Sequence, residues 1–220
     1  VFDRKDWPCW RGPARNNVAV ADTTPPLKWG PVLNIDWKAT PAGRGNATPC
    51  IVGDRIFIPA ADEDTGSIWV ACFARDSGKR LWKTEVYRGT LAEIHEHNSY
   101  ASATPASDGR RGFFTYQTLK DVRLAALDFD GNIFWNRKVA PFRSTRGYSA
   151  SPTLYRSTVI VVTDGGGNYI TALHRGSGEV VWRARRSIDQ ECYVSPLVAK
   201  VGGRWGLFTV GPQRTWCYDP

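Results

Sequence analysis

The chain has 220 residues, 42% of them hydrophobic, with 29 basic and 21 acidic side chains and a formal net charge of +8. That length supports a sizeable core, and no run approaches the roughly 18–20 consecutive apolar residues of a helical membrane span. The positive charges are scattered, with small knots only at Arg110–Arg111 and at Arg183, Arg185 and Arg186, which reads as a solvated surface rather than a specific nucleic-acid site.

Ten tryptophans, 14 prolines and 21 glycines fit an all-β chain of short strands joined by frequent turns. No basic segment followed by an apolar core opens the sequence, so no signal peptide is visible within it. Residues 1–36 read as an N-terminal extension leading into a first outer strand closed by Trp37. A small residue, a hydroxyl and a proline then appear as Ala47-Thr48-Pro49. Two apolar runs follow, at Ile56-Phe57-Ile58 and from Ile68 to Phe73, and then Ser77-Gly78 with Trp82 four residues beyond the glycine. The next unit keeps the order: Ala103-Thr104-Pro105, Phe113 to Tyr116, Val122 to Leu127, Asp130-Gly131 and Trp135. A third runs through Ala150-Ser151-Pro152, Val159 to Val162, Tyr169 to Leu173, Ser177-Gly178 and Trp182. The fourth has Val194-Ser195-Pro196, Leu207 to Val210 and Thr215 to Tyr218, and reaches Pro220 before a Thr/Ser-Gly-x-x-x-Trp turn.

About four strands in roughly 45–55 residues, repeated in phase, suit a propeller blade. Turns such as Gly53-Asp54, Asp108-Gly109 and Ser177-Gly178 supply the positive φ of tight hairpins. Runs like Val159 to Val162 are apolar on both faces and need cover on both sides, which stacked blades provide without helices. No long segment has a 3.6-residue period. The small residues before each proline predict the crowded inner end of a blade. The tryptophans predict the wide outer strand, where a large ring fills the gap to a neighbour. A proline at the start of an innermost strand removes no ladder bond the strand needs.

On these residues the chain resembles the PQQ-like (quinoprotein-type) β-propeller repeat family. The family's Ala-x-Asp-x-x-Thr-Gly-x-x-x-Trp pattern, its tryptophan-docking motif, is matched by Cys72 to Trp82 and by Ala172 to Trp182, with a copy one residue shorter from Ala126 to Trp135. Trp7-Pro8-Cys9-Trp10-Arg11-Gly12-Pro13 is similar to the mature start of secreted members. The resemblance implies an all-β propeller of four-stranded antiparallel blades. It implies a partial ring of about four blades across 1–220, a fragment of a longer ring whose remainder lies outside this chain. The motif's Asp is replaced by Ala74 and His174, and its Ala by Cys72 and Cys217. Both cysteines are expected to fill small buried slots as thiols, too far apart for a disulfide. Five cysteines with no Cys-x-x-Cys pair argue against a zinc ribbon.

The richest polar segment is Glu93-Ile94-His95-Glu96-His97-Asn98-Ser99-Tyr100. If extended, it places Glu93, His95 and His97 on one face, a weak candidate for a transition metal. His95, Asn98 and Ser99 resemble a His-x-x-Asn-Ser stretch of secreted family members. With Arg143, Arg146 and Tyr148 they are the candidate binding-loop residues, and those last three are the expected contacts for an acidic or peptide partner. Asp164-Gly165-Gly166-Gly167-Asn168 lacks the ligand series of an EF-hand and reads as a hairpin connection. No Gly-x-Ser-x-Gly elbow is present, and no catalytic residue is assigned.

The expected function is a non-enzymatic binding or scaffold propeller, exported to a periplasm or cell exterior, that recognises a protein or other macromolecule through its blade loops. The alternative is a fragment of a PQQ-dependent quinoprotein oxidoreductase, a dehydrogenase for alcohols or sugars. Only under that reading would PQQ with calcium be the cofactor. The family's dehydrogenases often carry adjacent cysteines, and this chain has no Cys-Cys pair. A polysaccharide-binding propeller, suggested by the aromatic content, ranks third.

Overall fold

The computed structural model describes residues 2–19, 24–41, 43–188 and 190–220. They form antiparallel sheets and no helix. The first blade is β1 (Cys50–Val52), β2 (Arg55–Asp62), β3 (Ser67–Ala74) and β4 (Arg80–Arg88). The second is β5 (Ala106–Ser107), β6 (Arg111–Gln117), β7 (Asp121–Asp128) and β8 (Ile133–Pro141). The third is β9 (Thr153–Tyr155), β10 (Thr158–Thr163), β11 (Tyr169–His174) and β12 (Val180–Arg185). A fourth unit has three strands, β13 (Leu197–Val201), β14 (Arg204–Val210) and β15 (Thr215–Tyr218). Each sheet is a meander in sequence order, the arrangement of a β-propeller. The innermost strands β1, β5, β9 and β13 lie next to one another in that order.

Alternation along each strand sends side chains to two neighbours. In β10, Val159 and Val161 join the core shared with Phe113, Leu124 and Trp135 of the second blade. Ile160 and Val162 join the core shared with Val198 and Leu207 of the fourth. In β6, Phe113 faces the third blade while Phe114 and Tyr116 pack with Phe57, Ile68 and Val70 of the first. Every residue of β10 is buried. The core is therefore a series of seams between blades, and no single sheet holds it.

Two polar devices recur along the seams. At the inner end, the backbone N–H of Thr48 donates to the Thr104 hydroxyl at 3.1 Å, that of Thr104 to the Ser151 hydroxyl at 2.9 Å, and that of Ser151 to the Ser195 hydroxyl at 2.8 Å. The hydroxyl before each proline thus ties its blade to the previous one. At the outer end, Trp37, Trp82 and Trp135 each reach into the next turn. The indole N–H of Trp37 donates to Arg75 O at 3.0 Å, that of Trp82 to Phe129 O at 2.7 Å, and that of Trp135 to Arg175 O at 3.2 Å. The ring lies over the turn glycine. A Cβ on Gly78 would sit 2.3 Å from Trp37, one on Gly131 2.8 Å from Trp82, and one on Gly178 2.7 Å from Trp135. All three glycines also have positive φ, so no other residue type fits without strain.

Two expectations need correction. Trp37 lies in no strand, because nothing among the described residues pairs with its segment, yet its ring seats on Gly78 as the others do on theirs. Cys72 is buried, with burial pushing its thiol up to about 12, but Cys217 is exposed. Cys217 lies on β15, the edge of its three-stranded sheet, so no further strand shields it. All five cysteines are free thiols.

The N-terminal segment is a strap across the inner strands. Trp7 exchanges backbone hydrogen bonds with Ile51, at 2.8 and 3.0 Å, and Pro8 O accepts from Ser107 N at 2.8 Å. Arg15 donates to the Thr153 hydroxyl at 2.8 Å and to Leu154 O at 3.0 Å. The buried Asp6 carboxylate accepts from Gly53 N at 2.8 Å. One short stretch therefore touches three consecutive blades.

Trp135→Ala should lower the unfolding free energy by about 3–5 kcal/mol, the usual cost of emptying a packed aromatic site. Trp29→Ala, at a site 71% exposed, should stay within about 0.5 kcal/mol of the parent. Urea denaturation of both variants checks the contrast.

Candidate functional site

The inner ends of the blades and the strap enclose an axial cleft of about 530 Å³. The strap contributes Cys9, Trp10, Arg11 and Arg15. The loops before the inner strands contribute Asn46, Asn98, Ser102 and Ser149, and the proline columns of the third and fourth blades form a wall from Ser151 to Thr153 and from Val194 to Leu197, with Tyr193 beside it. Its polar groups are amides, hydroxyls and two guanidinium groups. No carboxylate lines it among the described residues.

The loop from Leu91 to Tyr100 is not extended through its histidines. Asn98 N donates to His95 O at 2.8 Å, closing a turn over Glu96 and His97. The turn removes the alternation that would put Glu93, His95 and His97 on one face. The rings of His95 and His97 lie 5.1 Å apart. His97 N donates to His95 Nδ1 at 3.2 Å, which occupies that nitrogen. Among the described residues no group of three or more His, Cys, Asp or Glu side chains is placed to hold a metal ion.

Asn98 is the clasp of this face. Its amide N–H donates to Arg146 O at 2.6 Å, and its carbonyl oxygen accepts from Ser99 N at 2.8 Å and from the Ser102 hydroxyl. Ser99 is buried, and its hydroxyl accepts from Asn46 N at 3.1 Å. Gly147 packs against Asn98 and Ile94, where a Cβ would come within 2.6 Å of the Asn98 amide, and its φ is 85°. Loops 91–102 and 143–149 are thereby locked together. Asn98 and Ser99 owe their place to this join. Tyr148 leaves the candidate binding set: it is buried, its hydroxyl donates to Val162 O at 3.1 Å, and Phe142 meets its ring edge-on at 5.5 Å. An aromatic with a satisfied hydroxyl inside a seam is core. His95, His97, Arg143 and Arg146 remain exposed on the clasped loops.

The glycine-rich segment connects β10 to β11, with Arg143 N donating to Gly165 O and Phe142 bridging Gly166. It holds a buried ion pair that sequence reasoning missed. Asp164 and Arg186 have no solvent-exposed side-chain surface, and Arg186 Nη1 donates to Asp164 Oδ2. Arg186 sat in a run of charged residues that read as solvated, so nothing local marked it for burial. Burial pushes the Asp164 carboxyl up to about 6, against the opposing pull of the Arg186 guanidinium.

These geometries frame the comparisons with known proteins. A PQQ-type family model, described as outer membrane protein assembly factor BamB, matches residues 64–205, more than half of the chain. The chain belongs to the PQQ-like β-propeller repeat family. Among solved structures, BamB from Moraxella catarrhalis is 16% identical with a TM-score of 0.44, covering 78% of this chain and 60% of that one. A quinohemoprotein alcohol dehydrogenase from Comamonas testosteroni is 19% identical with a TM-score of 0.46, covering 64% of this chain and 21% of that one. A europium-containing methanol dehydrogenase is 18% identical with a TM-score of 0.45, covering 62% and 24%. The chain thus spans from about a fifth to three-fifths of the length of these structures. No curated protein matches it.

The family name raises the question of quinone with calcium. Calcium takes 6–8 oxygen ligands, carboxylates prominent among them. The cleft has none among the described residues, and its cysteines do not include an adjacent pair. The donor set of the axial cleft does not fit that group.

Asn98→Ala should lower stability by about 1–3 kcal/mol through lost buried hydrogen bonds, and should speed amide hydrogen exchange across 143–149. For Asp164 the raised folded pKa gives a contribution that is fully present below about pH 4 and is lost as pH rises through about 6. Asp164→Asn should flatten that part of the stability–pH curve, read by thermal melts from pH 4 to pH 8.

Proposed function

We propose that this protein is a non-enzymatic binding or scaffold propeller, exported to a periplasm or cell exterior, that recognises a protein partner through its blade loops. The observation that carries the reading is the Asn98 clasp. Two long loops from successive blades are fixed to each other through Asn98, Ser99, Ser102 and Gly147, and they present His95, His97, Arg143 and Arg146 to solvent. Rigid loops lose little entropy when a partner docks. The exposed guanidinium groups of Arg143 and Arg146 favour encounter with an acidic protein surface. The match to the BamB family model supports a protein partner and an exported location. Residues 1–220 then act as one propeller unit, with 1–36 leading into and strapping the blades.

The test is chemical cross-linking of the exported full-length protein in its own envelope, followed by mapping of the linked peptides. A discrete protein should link to residues 91–102 or 143–149. Arg143→Glu combined with Arg146→Glu should cut its capture about tenfold while the melting temperature stays unchanged. Cross-links confined to other surfaces would sink the reading. Saturable one-to-one binding of added PQQ with calcium, with dye reduction, would replace it with the oxidoreductase alternative.

A further inference from the structure

Between the third and fourth blades, away from the loops just described, lies a hollow of about 640 Å³. It is framed by the residues following β12 and by the turn between β14 and β15. Three arginines line it, Arg185, Arg186 and Arg214, together with Ser187, Gln213 and Trp216. No Asp or Glu lines it among the described residues. Among the described residues, the one carboxylate paired to any of the three arginines is Asp164, which lies fully buried on Arg186.

These groups differ sharply in how they are held. Arg186 is fixed: its backbone N–H donates to Asn168 O at 2.7 Å, its Nη2 to Val210 O at 3.3 Å, and its guanidinium lies 4.7 Å from the Trp216 ring centroid. Its Nε–H is buried with no acceptor. Arg214 approaches the same indole at 5.8 Å, so two cations share one aromatic ring. Arg185 and Arg214 are exposed, and neither side chain makes an ion pair among the described residues. The Ser187 hydroxyl and the Gln213 amide likewise have no hydrogen-bond partner there.

Arg185 and Arg214 bring two like charges that no carboxylate among the described residues offsets, and an anion relieves their repulsion. Guanidinium groups present parallel N–H donors that match a carboxylate or phosphate. The volume is that of a small-ligand site. We propose that this hollow binds an oxyanion, with Arg185 and Arg214 as its charged donors, Ser187 and Gln213 as neutral ones, and Arg186 and Trp216 as its fixed floor. The oxyanion chemistry is common to two sources: a free phosphate-type anion and the carboxylates of an acidic peptide segment. The site stands independently of the loop face proposed above.

Isothermal titration of the whole protein with inorganic phosphate, and separately with a pentaglutamate peptide, tests it. At least one probe should bind saturably, and more weakly as ionic strength rises. Arg185→Glu combined with Arg214→Glu should weaken that binding at least about tenfold, the scale for losing charge-assisted contacts. Gln213→Ala, which leaves every charge in place, should weaken it less. Arg143→Glu with Arg146→Glu should leave it unchanged, which separates this site from the loop face. Phosphate binding marks a free anion as the ligand, and peptide binding alone marks acidic side chains. Failure of both probes to bind, or binding that persists in the Arg185/Arg214 variant, overturns the proposal.

Discussion

Everything in this structure depends on the seam between blades. Each sheet has two apolar faces and cannot stand alone in water, so its stability is borrowed from its neighbours. Between the first three blades the seam has a polar lock at each end, a hydroxyl accepting a backbone N–H near the axis and an indole seated on a glycine turn at the rim. Between the locks the packing is apolar and comes from alternate residues of the same strands. Because the locks repeat with the blade, an error in one seam is carried to the next.

The distribution of functional options follows from that. The repeated tryptophans and the Ser/Thr-Pro columns are committed to holding blades together, and they are the residues a reader of the sequence notices first. What is left to vary are the loops before the inner strands, the strap and the turns at the rim. No carboxylate lines the axial cleft among the described residues, which makes it a poor calcium site. The clasped loops make a firm surface instead. Binding is the role proposed for those free residues.

The blade order was legible because its signals are local and periodic: apolar runs, positive-φ glycines and a tryptophan at fixed spacing. The proline columns were legible as position, but not as chemistry, since a hydroxyl's acceptor role appears only when the next blade is alongside. Tyr148 looked like a loop contact because its neighbours are polar and small, and only the fold shows it turning inward to Val162 O. Asn98 and Ser99 were noticed as a motif without a role, and their partners at Arg146 and Asn46 lie about fifty residues away. Arg186 was invisible for the same reason in reverse, as its partner Asp164 sits in a glycine-rich turn that reads as solvent-exposed.

The strap has a consequence for the order of events during synthesis. Its residues are made before the blades they touch, and their seats follow one blade at a time. Trp7 can be docked once Ile51 is in place, Pro8 once Ser107 is, and Arg15 only when Thr153, 138 positions further on, has formed β9. Contacts of such long sequence separation are slow to form, and folding during translation proceeds from the N-terminus. The strap, made before its seats, is therefore among the last parts of these blades to settle, a latch that closes on blades already stacked.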